Sequence, residues 1–254
     1  MIEDYGILTG ADAYFVNLAQ RPDRRVLCEA ELARVGLPAE RFEAMTADDY
    51  RGTPQGLAAM LARPQRGAIG CWLSQRAVLQ RGIDANRSVL VLEDDVMFCD
   101  DLRERMRYVE RVLPAIDQEW DVLSLGGCFH VPGIWHKKTL DRDVQVTSDP
   151  RILRLYGSWF TWAYLVRRES LAKVADLLDW ILPHSHGIDH SFILLADRVR
   201  SYCFVPGCSK QRDGKSNIGS GDTIFSSFSM LGPYWFQPRA EDFDPGAFDW
   251  KDAR

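Results

Sequence analysis

Three consecutive acids, Glu93, Asp94 and Asp95, directly follow the apolar run 89–92. Such a run predicts a strand buried on both faces, and its carboxyl end is where open α/β sheets bind ligands. Because side chains alternate along a strand, Glu93 and Asp95 are expected to point the same way. Two carboxylates placed like this suit Mg²⁺ or Mn²⁺, which can bridge nucleotide phosphates and offset charge on a departing diphosphate.

The alternative interpretation of these acids is a solvated turn after a strand. Two features argue against it. Three adjacent carboxylates repel one another unless a cation offsets their charge. A fully apolar strand is also an unusual neighbour for an incidental run of charge.

A second polar turn reads His184-Ser-His186-Gly-Ile-Asp189-His190 and holds three of the five histidines. Histidine and aspartate are ligands of Zn²⁺, so a zinc site is one interpretation. The spacing matches no familiar zinc pattern, and no cysteine pair completes it. This favours an exposed loop in which Asp189 caps the helix that follows.

Hydrophobic periodicity and chain-breaking residues predict the elements that must position these groups. Residues 13–18 and 41–45 are predicted strands on either side of a helix that begins at Pro22 and ends at Gly36, which makes a parallel β-α-β unit. Further helices are expected at 67–86, at 101–112 and across Leu171, Val174, Leu178 and Ile181. Further strands are expected from 88 into the acids, at 120–125 and at 158–166. Residues 192–196 are expected to belong to another apolar element. Residues 46–66, 129–156 and the tail from 210 are predicted to be loops.

Composition narrows the class of protein. The 254 residues are 46% hydrophobic, carry a net charge of −5 and show no repeat or low-complexity linker, so a single domain over 1–254 is expected. The negative charge argues against a nucleic-acid partner. No apolar run could span a bilayer and no leader is visible, which predicts a cytoplasmic protein with only peripheral membrane contact. Six scattered cysteines fit buried, reduced thiols.

Three stretches resemble glycosyltransferase family 25, the lipopolysaccharide-type glycosyltransferases related to collagen galactosyltransferases. The second of them contains Gly-Ala-Ile-Gly-Cys-Trp-Leu-Ser and then Val-Leu-Val-Leu-Glu-Asp-Asp-Val. In family order, the stretches are 15–42, then 67–74 with 89–96, and then 157–168 with 188–189 and 211–218.

The resemblance implies a GT-A-like nucleotide-diphospho-sugar transferase fold, in which helices flank a mixed, mostly parallel central sheet. It also implies a UDP-sugar donor, typically UDP-galactose or UDP-glucose, and Mn²⁺ or Mg²⁺ as cofactor. Residues 13–128 would form the nucleotide-sugar half, 157–220 the acceptor-side half with a lid, and 221–254 a C-terminal tail.

The resemblance also implies roles for residues at the donor. The acidic run stands where the family has its D-x-D-like motif, so Asp95 is the first choice of metal ligand, with Glu93 and Asp94 helping it. Asn17 and Leu18 resemble nucleoside-binding positions.

Two pairs of residues are further candidates at the donor diphosphate. Arg21 and Arg24 could reach it, because guanidinium groups suit phosphate oxygens; a solvated helix start is the alternative. Gly70 and Ser74 resemble a turn into a helix whose N-terminus favours an anion; helix packing and capping are the alternative.

On the acceptor side, Asp189 matches an acidic position of the family and is the candidate catalytic base, since an inverting transfer needs a carboxylate to take the acceptor's hydroxyl proton. Asp213 and Asp222 are weaker candidates for the same role. Gln211 and Ser216 are expected to close over the diphosphate as part of a mobile lid.

Two positions depart from the family pattern. Gln75 stands where the family usually has histidine, and Trp162 lies where many relatives have a Gly-Thr-His or similar turn. The resemblance thus implies a metal-dependent transferase that moves a hexose from a UDP-sugar to a saccharide or glycolipid acceptor, such as lipopolysaccharide, at the inner face of the membrane. The departures keep open a non-catalytic protein that binds nucleotide sugars. A sugar nucleotidyltransferase is a further alternative, although the segment after the first strand lacks the glycine-rich loop of that class.

Overall fold

The computed structural model describes residues 1–52, 66–126, 144–157, 161–185 and 187–212. The helices within them are α1 (Pro22–Val35), α2 (Arg66–Ala85), α3 (Leu102–Ile116), α4 (Leu171–Ile181) and α5 (Ile188–Leu194). The strands are β1 (Asp12–Asn17), β2 (Glu40–Glu43), β3 (Val89–Glu93), β4 (Val96–Phe98), β5 (Val122–Ser124), β6 (Val144–Val146), β7 (Ile152–Leu155), β8 (Ala163–Val166), β9 (Ser201–Phe204) and β10 (Ser209–Gln211).

Eight of these strands form one sheet in the order β2-β1-β3-β8-β5-β9-β7-β6. β8 and β7 pair antiparallel with both of their neighbours, while β2, β1 and β3 are parallel to one another and β5 is parallel to β9. Strands β7 and β8 therefore run against the other strands of the sheet. The predicted α/β class, with a mixed and mostly parallel central sheet flanked by helices, is confirmed.

The sheet is covered on both faces, as the apolar run of β3 predicted. Leu90 and Leu92 join a core with residues of α1 and α3, whereas Val89 and Val91 join a second core with α2, α4 and α5. All four side chains are fully buried. Alternation along one strand thus divides the interior into two layers.

The first β-α-β unit forms as expected. Proline stands at the start of α1, where its missing N–H costs no helical hydrogen bond. Gly36 ends the helix with a φ of 67°, a left-handed conformation in which glycine has no steric penalty. β1 then pairs in parallel with β2. This connection brings the carboxyl end of β1 beside that of β3.

The second half of the chain contains more strands than expected. The stretch 129–156, predicted to be a loop, includes β6 and the fully buried β7. The strand predicted at 158–166 begins at Ala163 after a turn, and the apolar element predicted at 192–196 overlaps the end of helix α5. The tail from 210 begins within a strand, because β10 pairs antiparallel with β4 in a separate two-stranded sheet.

No helix in the described ranges is both long enough and apolar enough to cross a membrane.

Candidate functional site

The acidic run lies in a turn between two strands. β3 ends at Glu93, Asp94 and Asp95 form the turn, and β4 begins at Val96. The strand alternation that predicted a common direction for Glu93 and Asp95 therefore does not extend to Asp95. On the neighbouring strand, Val16 is paired with Glu93, so Asn17 at the end of β1 lies beside this acidic turn.

The Arg24 guanidinium holds two of the three acids. Its Nη1 donates to Oδ1 of Asp94 at 2.9 Å and to Oδ2 of Asp95 at 3.0 Å. Asn17 donates from Nδ2 to the other oxygen of Asp94 at 2.8 Å, and its own Oδ1 accepts from Arg41 at 3.0 Å. β1, α1 and the acidic turn are thus joined through Asp94.

Glu93 is held by two glutamine amides. Gln75, fully buried in α2, donates from Nε2 to Oε1 at 3.0 Å, and Gln211 of β10 donates from Nε2 to Oε2 at 3.1 Å. The backbone N–H of Arg212 donates to the Asp95 carbonyl at 2.6 Å. Residues far apart in the sequence therefore orient the turn.

Sequence reasoning noted Gln75 only as a departure from the family and missed its contact with Glu93. The residue lies on the buried face of α2, at 0% exposure, which is an unusual place for an amide. That mismatch between residue type and helical face was the available signal.

Asp189 reaches the same region from the second half of the chain. It lies in the first turn of α5, and its Oδ1 accepts the backbone N–H of Thr161 at 2.9 Å. Its charge is close enough to Glu93 to help raise the pKa of that carboxyl. The cap residue of α5 is Gly187, so the alternative that Asp189 caps this helix is wrong.

The electrostatics show an excess of negative charge. Burial raises the pKa of Glu93 well above its usual range, and the nearby charges of Asp95, Asp189 and Asp94 add to this shift. Burial also raises the pKa of Asp95 to about 6, against the opposing effect of Arg24. Carboxyls in this condition favour a bound proton or a bound cation.

The carboxylates in the turn also fit a divalent cation in their chemistry. Oδ1 of Asp95 is buried and has no hydrogen-bond partner among the described residues. Carboxylate oxygens are the ligands that Mg²⁺ and Mn²⁺ prefer. Across the described part of the chain, however, no three histidine, cysteine, aspartate or glutamate side chains converge as a complete metal-binding group.

Two residues predicted to bind the nucleotide-sugar donor form hydrogen bonds with nearby residues of the chain. Arg21 precedes α1 and binds Asp23 through Nε and Nη2 at 3.0 and 2.8 Å. Its pKa is raised mainly by this hydrogen bond, and the charges of Asp94 and Asp95 contribute. Leu18, the residue after β1, uses its carbonyl to accept the Arg21 N–H. Arg21 thus lies within the field of the acidic turn.

Gly70 and Ser74 lie inside α2 rather than at a turn into it. The Ser74 hydroxyl donates to the Gly70 carbonyl at 2.6 Å and accepts the Met45 N–H at 2.8 Å. A Cβ at Gly70 would approach the Met45 carbonyl to 2.6 Å. Close packing of α2 on the segment after β2, the alternative interpretation, accounts for both residues.

Several other candidates lie outside the described residues. These are His186, Asp213, Ser216 and Asp222, together with the proposed lid beyond 212. His184 and His190 are described, and they belong to a short 3-10 helix and to α5.

The pKa of Asp95 leads to a prediction for the metal-free protein. We expect Asp95→Asn to be more stable than the wild type at about pH 7.5, with an advantage that shrinks towards about pH 5. A carboxyl whose pKa is raised on folding contributes stability at low pH and loses it as the pH rises through its folded value, here about 6. Thermal unfolding with a chelator present should show a difference of a few degrees. Parallel stability curves for the two proteins would contradict this expectation.

Sequence comparisons relate part of this chain to one family. Residues 11–132 match the family model described as Glycosyltransferase family 25 (LPS biosynthesis protein). A Glycosyltransferase 25 family member from Aedes aegypti is 27% identical over 64% of this chain and 27% of its own length. A Procollagen galactosyltransferase 1 from Danio rerio is 25% identical over 68% of this chain and 30% of its own.

Two further comparisons are with a relative that is named as inactive and with a more distant solved structure. An Inactive glycosyltransferase 25 family member 3 from Homo sapiens is 24% identical over 64% of this chain and 28% of its own. The crystal structure of a glycosyltransferase involved in the glycosylation of the major capsid of PBCV-1 aligns over 81% of this chain and 95% of its own, at 10% identity and a TM-score of 0.41.

The chain spans about a quarter to a third of the length of these curated relatives. The matched residues 11–132 include β1, α1 and the whole acidic turn. Over these residues the chain is therefore similar to glycosyltransferase family 25.

Proposed function

We propose that this chain is a metal-dependent transferase that moves a hexose, galactose or glucose, from a UDP-sugar to a saccharide acceptor. One observation carries the proposal. Gln211, from the second half of the chain, donates to Glu93 at the carboxyl end of β3, and after burial and the charge of Asp95 the charge of Asp189 helps to raise the pKa of Glu93. Ligands bind at this edge of an open α/β sheet.

On this proposal, residues 1–254 work as one unit. Residues 13–128 hold the nucleotide sugar, with Asn17 and Leu18 at the nucleoside and Arg21, Arg24 and Asp94 at the diphosphate. The second half of the chain would supply the acceptor side, with Gln211 acting at the diphosphate. Gly70 and Ser74 would support the nucleotide-sugar side of the site indirectly, through their packing against Met45.

Asp95 and Glu93 would hold Mn²⁺ or Mg²⁺. Such an ion supplies positive charge at the donor diphosphate and so favours its departure. The buried, unpartnered Oδ1 of Asp95 supports its role as first ligand. The two amides on Glu93 fix the direction of its carboxylate, which limits the reorganisation needed when a cation binds.

Asp189 would act as the base. Its carboxylate takes the proton of an acceptor hydroxyl as that oxygen attacks the anomeric carbon, and the bond to the diphosphate breaks on the opposite face, which inverts the centre. The Thr161 N–H holds Oδ1 of Asp189.

The acceptor would be a growing surface glycan, lipopolysaccharide or another glycolipid, presented at the cytoplasmic face of a membrane. Peripheral contact with that membrane would bring the acceptor to the enzyme. The relatives extend far beyond this region, so acceptor, linkage and assembly are proposals for the whole protein.

A non-catalytic nucleotide-sugar-binding protein is the second candidate. This candidate is favoured because residues of the chain itself already form hydrogen bonds with the three acids. Arg24 donates to two of the carboxylates, and Gln75, which stands in place of the usual histidine, donates to the third. One relative, from Homo sapiens, is named an inactive glycosyltransferase 25 family member. This candidate predicts binding of a nucleotide sugar without turnover.

One screen tests both candidates. Thermal unfolding is measured with UDP-galactose, UDP-glucose and other UDP-sugars, with and without Mn²⁺, and release of UDP is followed in the same samples. We expect one donor to stabilise the protein by a few degrees only when Mn²⁺ is present, with slow hydrolysis of that donor. Stabilisation without hydrolysis or transfer would select the binding protein. No response to any donor would contradict both.

A further inference from the structure

Arg24 places one guanidinium nitrogen between two carboxylates of the acidic turn. Nη1 lies 2.9 Å from Oδ1 of Asp94 and 3.0 Å from Oδ2 of Asp95. The side chains are largely buried, with exposed fractions of 15% for Arg24, 11% for Asp94 and 14% for Asp95. Ion pairs in such surroundings are screened by solvent much less than surface pairs.

Asp94 has both carboxylate oxygens engaged and therefore serves to hold Arg24. Oδ1 accepts from Arg24, and Oδ2 accepts from Nδ2 of Asn17. Asn17 is held in turn by Arg41, which donates to its side-chain oxygen at 3.0 Å and to its carbonyl at 3.3 Å. The position of the guanidinium is thus set by β1 and α1 together.

Asp95 differs from Asp94, because only one of its two carboxylate oxygens accepts a hydrogen bond in the described structure. Oδ2 accepts the guanidinium nitrogen, whereas Oδ1 is buried without a hydrogen-bond partner in the described structure. A divalent cation at Asp95 would share this carboxylate with Arg24. Two positive groups on one carboxylate repel each other, and the partly buried setting strengthens that repulsion.

We propose that Arg24 is an exchangeable counter-cation of the donor site. Without a donor it neutralises Asp95 and opposes a divalent cation that binds alone. When the cation and a nucleoside diphosphate bind together, the guanidinium transfers its hydrogen bond from Asp95 to the phosphate oxygens. This inference rests on the proposed function and adds to it a specific order of charge exchange.

The exchange makes the two ligands cooperative. A diphosphate attracts Arg24 away from Asp95, because phosphate oxygens are strong acceptors for guanidinium. The carboxylate is then available to the cation, so the nucleotide strengthens cation binding and, by linkage, the cation strengthens nucleotide binding to the same degree. The site would thereby avoid holding a metal ion without its substrate.

Calorimetric titrations of Mn²⁺ alone, UDP alone and Mn²⁺ with UDP already bound test the proposal. In the wild type, UDP should tighten Mn²⁺ binding about tenfold or more. In Arg24→Gln, Mn²⁺ alone should bind about tenfold tighter than in the wild type, while UDP with Mn²⁺ present should bind about tenfold weaker. A purely structural role for Arg24 would weaken both ligands.

The neighbouring arginine offers a matched control. Arg25 is exposed on the same helix and pairs with Glu29, so Arg25→Gln should leave both affinities within about twofold of the wild type. Arg24→Lys retains the charge and should keep the weak binding of Mn²⁺ alone. Circular dichroism of each variant verifies folding.

Two results would overturn the proposal. Unchanged or weaker binding of Mn²⁺ alone by folded Arg24→Gln would do so, and so would a wild type in which UDP does not affect Mn²⁺ affinity, a measurement that needs no variant. A wild type that binds neither Mn²⁺ nor UDP, alone or together, would remove the proposed function itself. The two failures are therefore distinguishable.

Discussion

Asp95→Asn is expected to abolish metal-dependent turnover of a UDP-sugar while the protein stays folded. Asn keeps the shape of the side chain and a neutral oxygen but removes the charge that would hold the cation. We expect kcat/KM to fall at least about 100-fold, because the lost interaction acts on charge that develops at the departing diphosphate. The raised pKa of Asp95 indicates that removing its charge costs the folded state little.

Asp100→Asn is the matched control for this change. Asp100 lies on the same segment, is 69% exposed at its side chain and pairs with Arg34 on the surface. UDP release and transfer should be compared for both variants over a Mn²⁺ titration. Full activity of Asp95→Asn with an unchanged Mn²⁺ dependence would contradict the assignment of Asp95 as a ligand.

Asp189→Asn is expected to lose transfer while donor binding remains. The amide oxygen of Asn can still accept the Thr161 N–H, so the start of α5 should keep its geometry. Removal of a general base costs about 10²- to 10⁴-fold in rate. The loss should appear in kcat for transfer at saturating donor, with the affinity for UDP and Mn²⁺ changed only slightly.

Asp197→Asn, an exposed change just beyond α5, serves as the control for this second prediction. Transfer rates should be measured with a saccharide acceptor, and UDP affinity should be measured separately. An equal loss of UDP affinity and transfer would show that Asp189 acts on the donor instead. Wild-type transfer by Asp189→Asn would remove it from the reaction.

Much of the fold could be predicted because its signals are local. The apolar run of β3, the proline and glycine at the two ends of α1, and the 3.6-residue spacing in α4 each depend on a few neighbouring residues. The same holds for the acidic turn, whose position follows from the strand before it.

β7 shows why other parts could not be predicted. Its buried sequence includes Arg154, which indicates a loop when the sequence is considered alone. The structure satisfies this guanidinium with the backbone carbonyls of Ala196, Val199 and Ser201. These acceptors lie more than forty residues away along the chain. Local pattern therefore cannot show that the charge is compensated.

In the candidate site, too, some features follow from local sequence and others depend on contacts between distant residues. The acids were found from residue type and position, and Asp189 and Gln211 were proposed from family resemblance. The bonds of Gln75 to Glu93 and of Arg24 to two carboxylates depend on how α2 and α1 pack against the turn. Such contacts are set by tertiary structure, so residue spacing alone does not predict them.

The place of β8 in the sheet has a consequence for how this protein forms. β8 lies between β3 and β5 and pairs with both, although it follows them by many residues in the chain. During synthesis, the edges of β3 and β5 that pair with β8 therefore stay unpaired until Ala163–Val166 has left the ribosome. Closing the middle of the sheet is a long-range, slow event. The acidic turn, at the end of β3, can be completed only after that event.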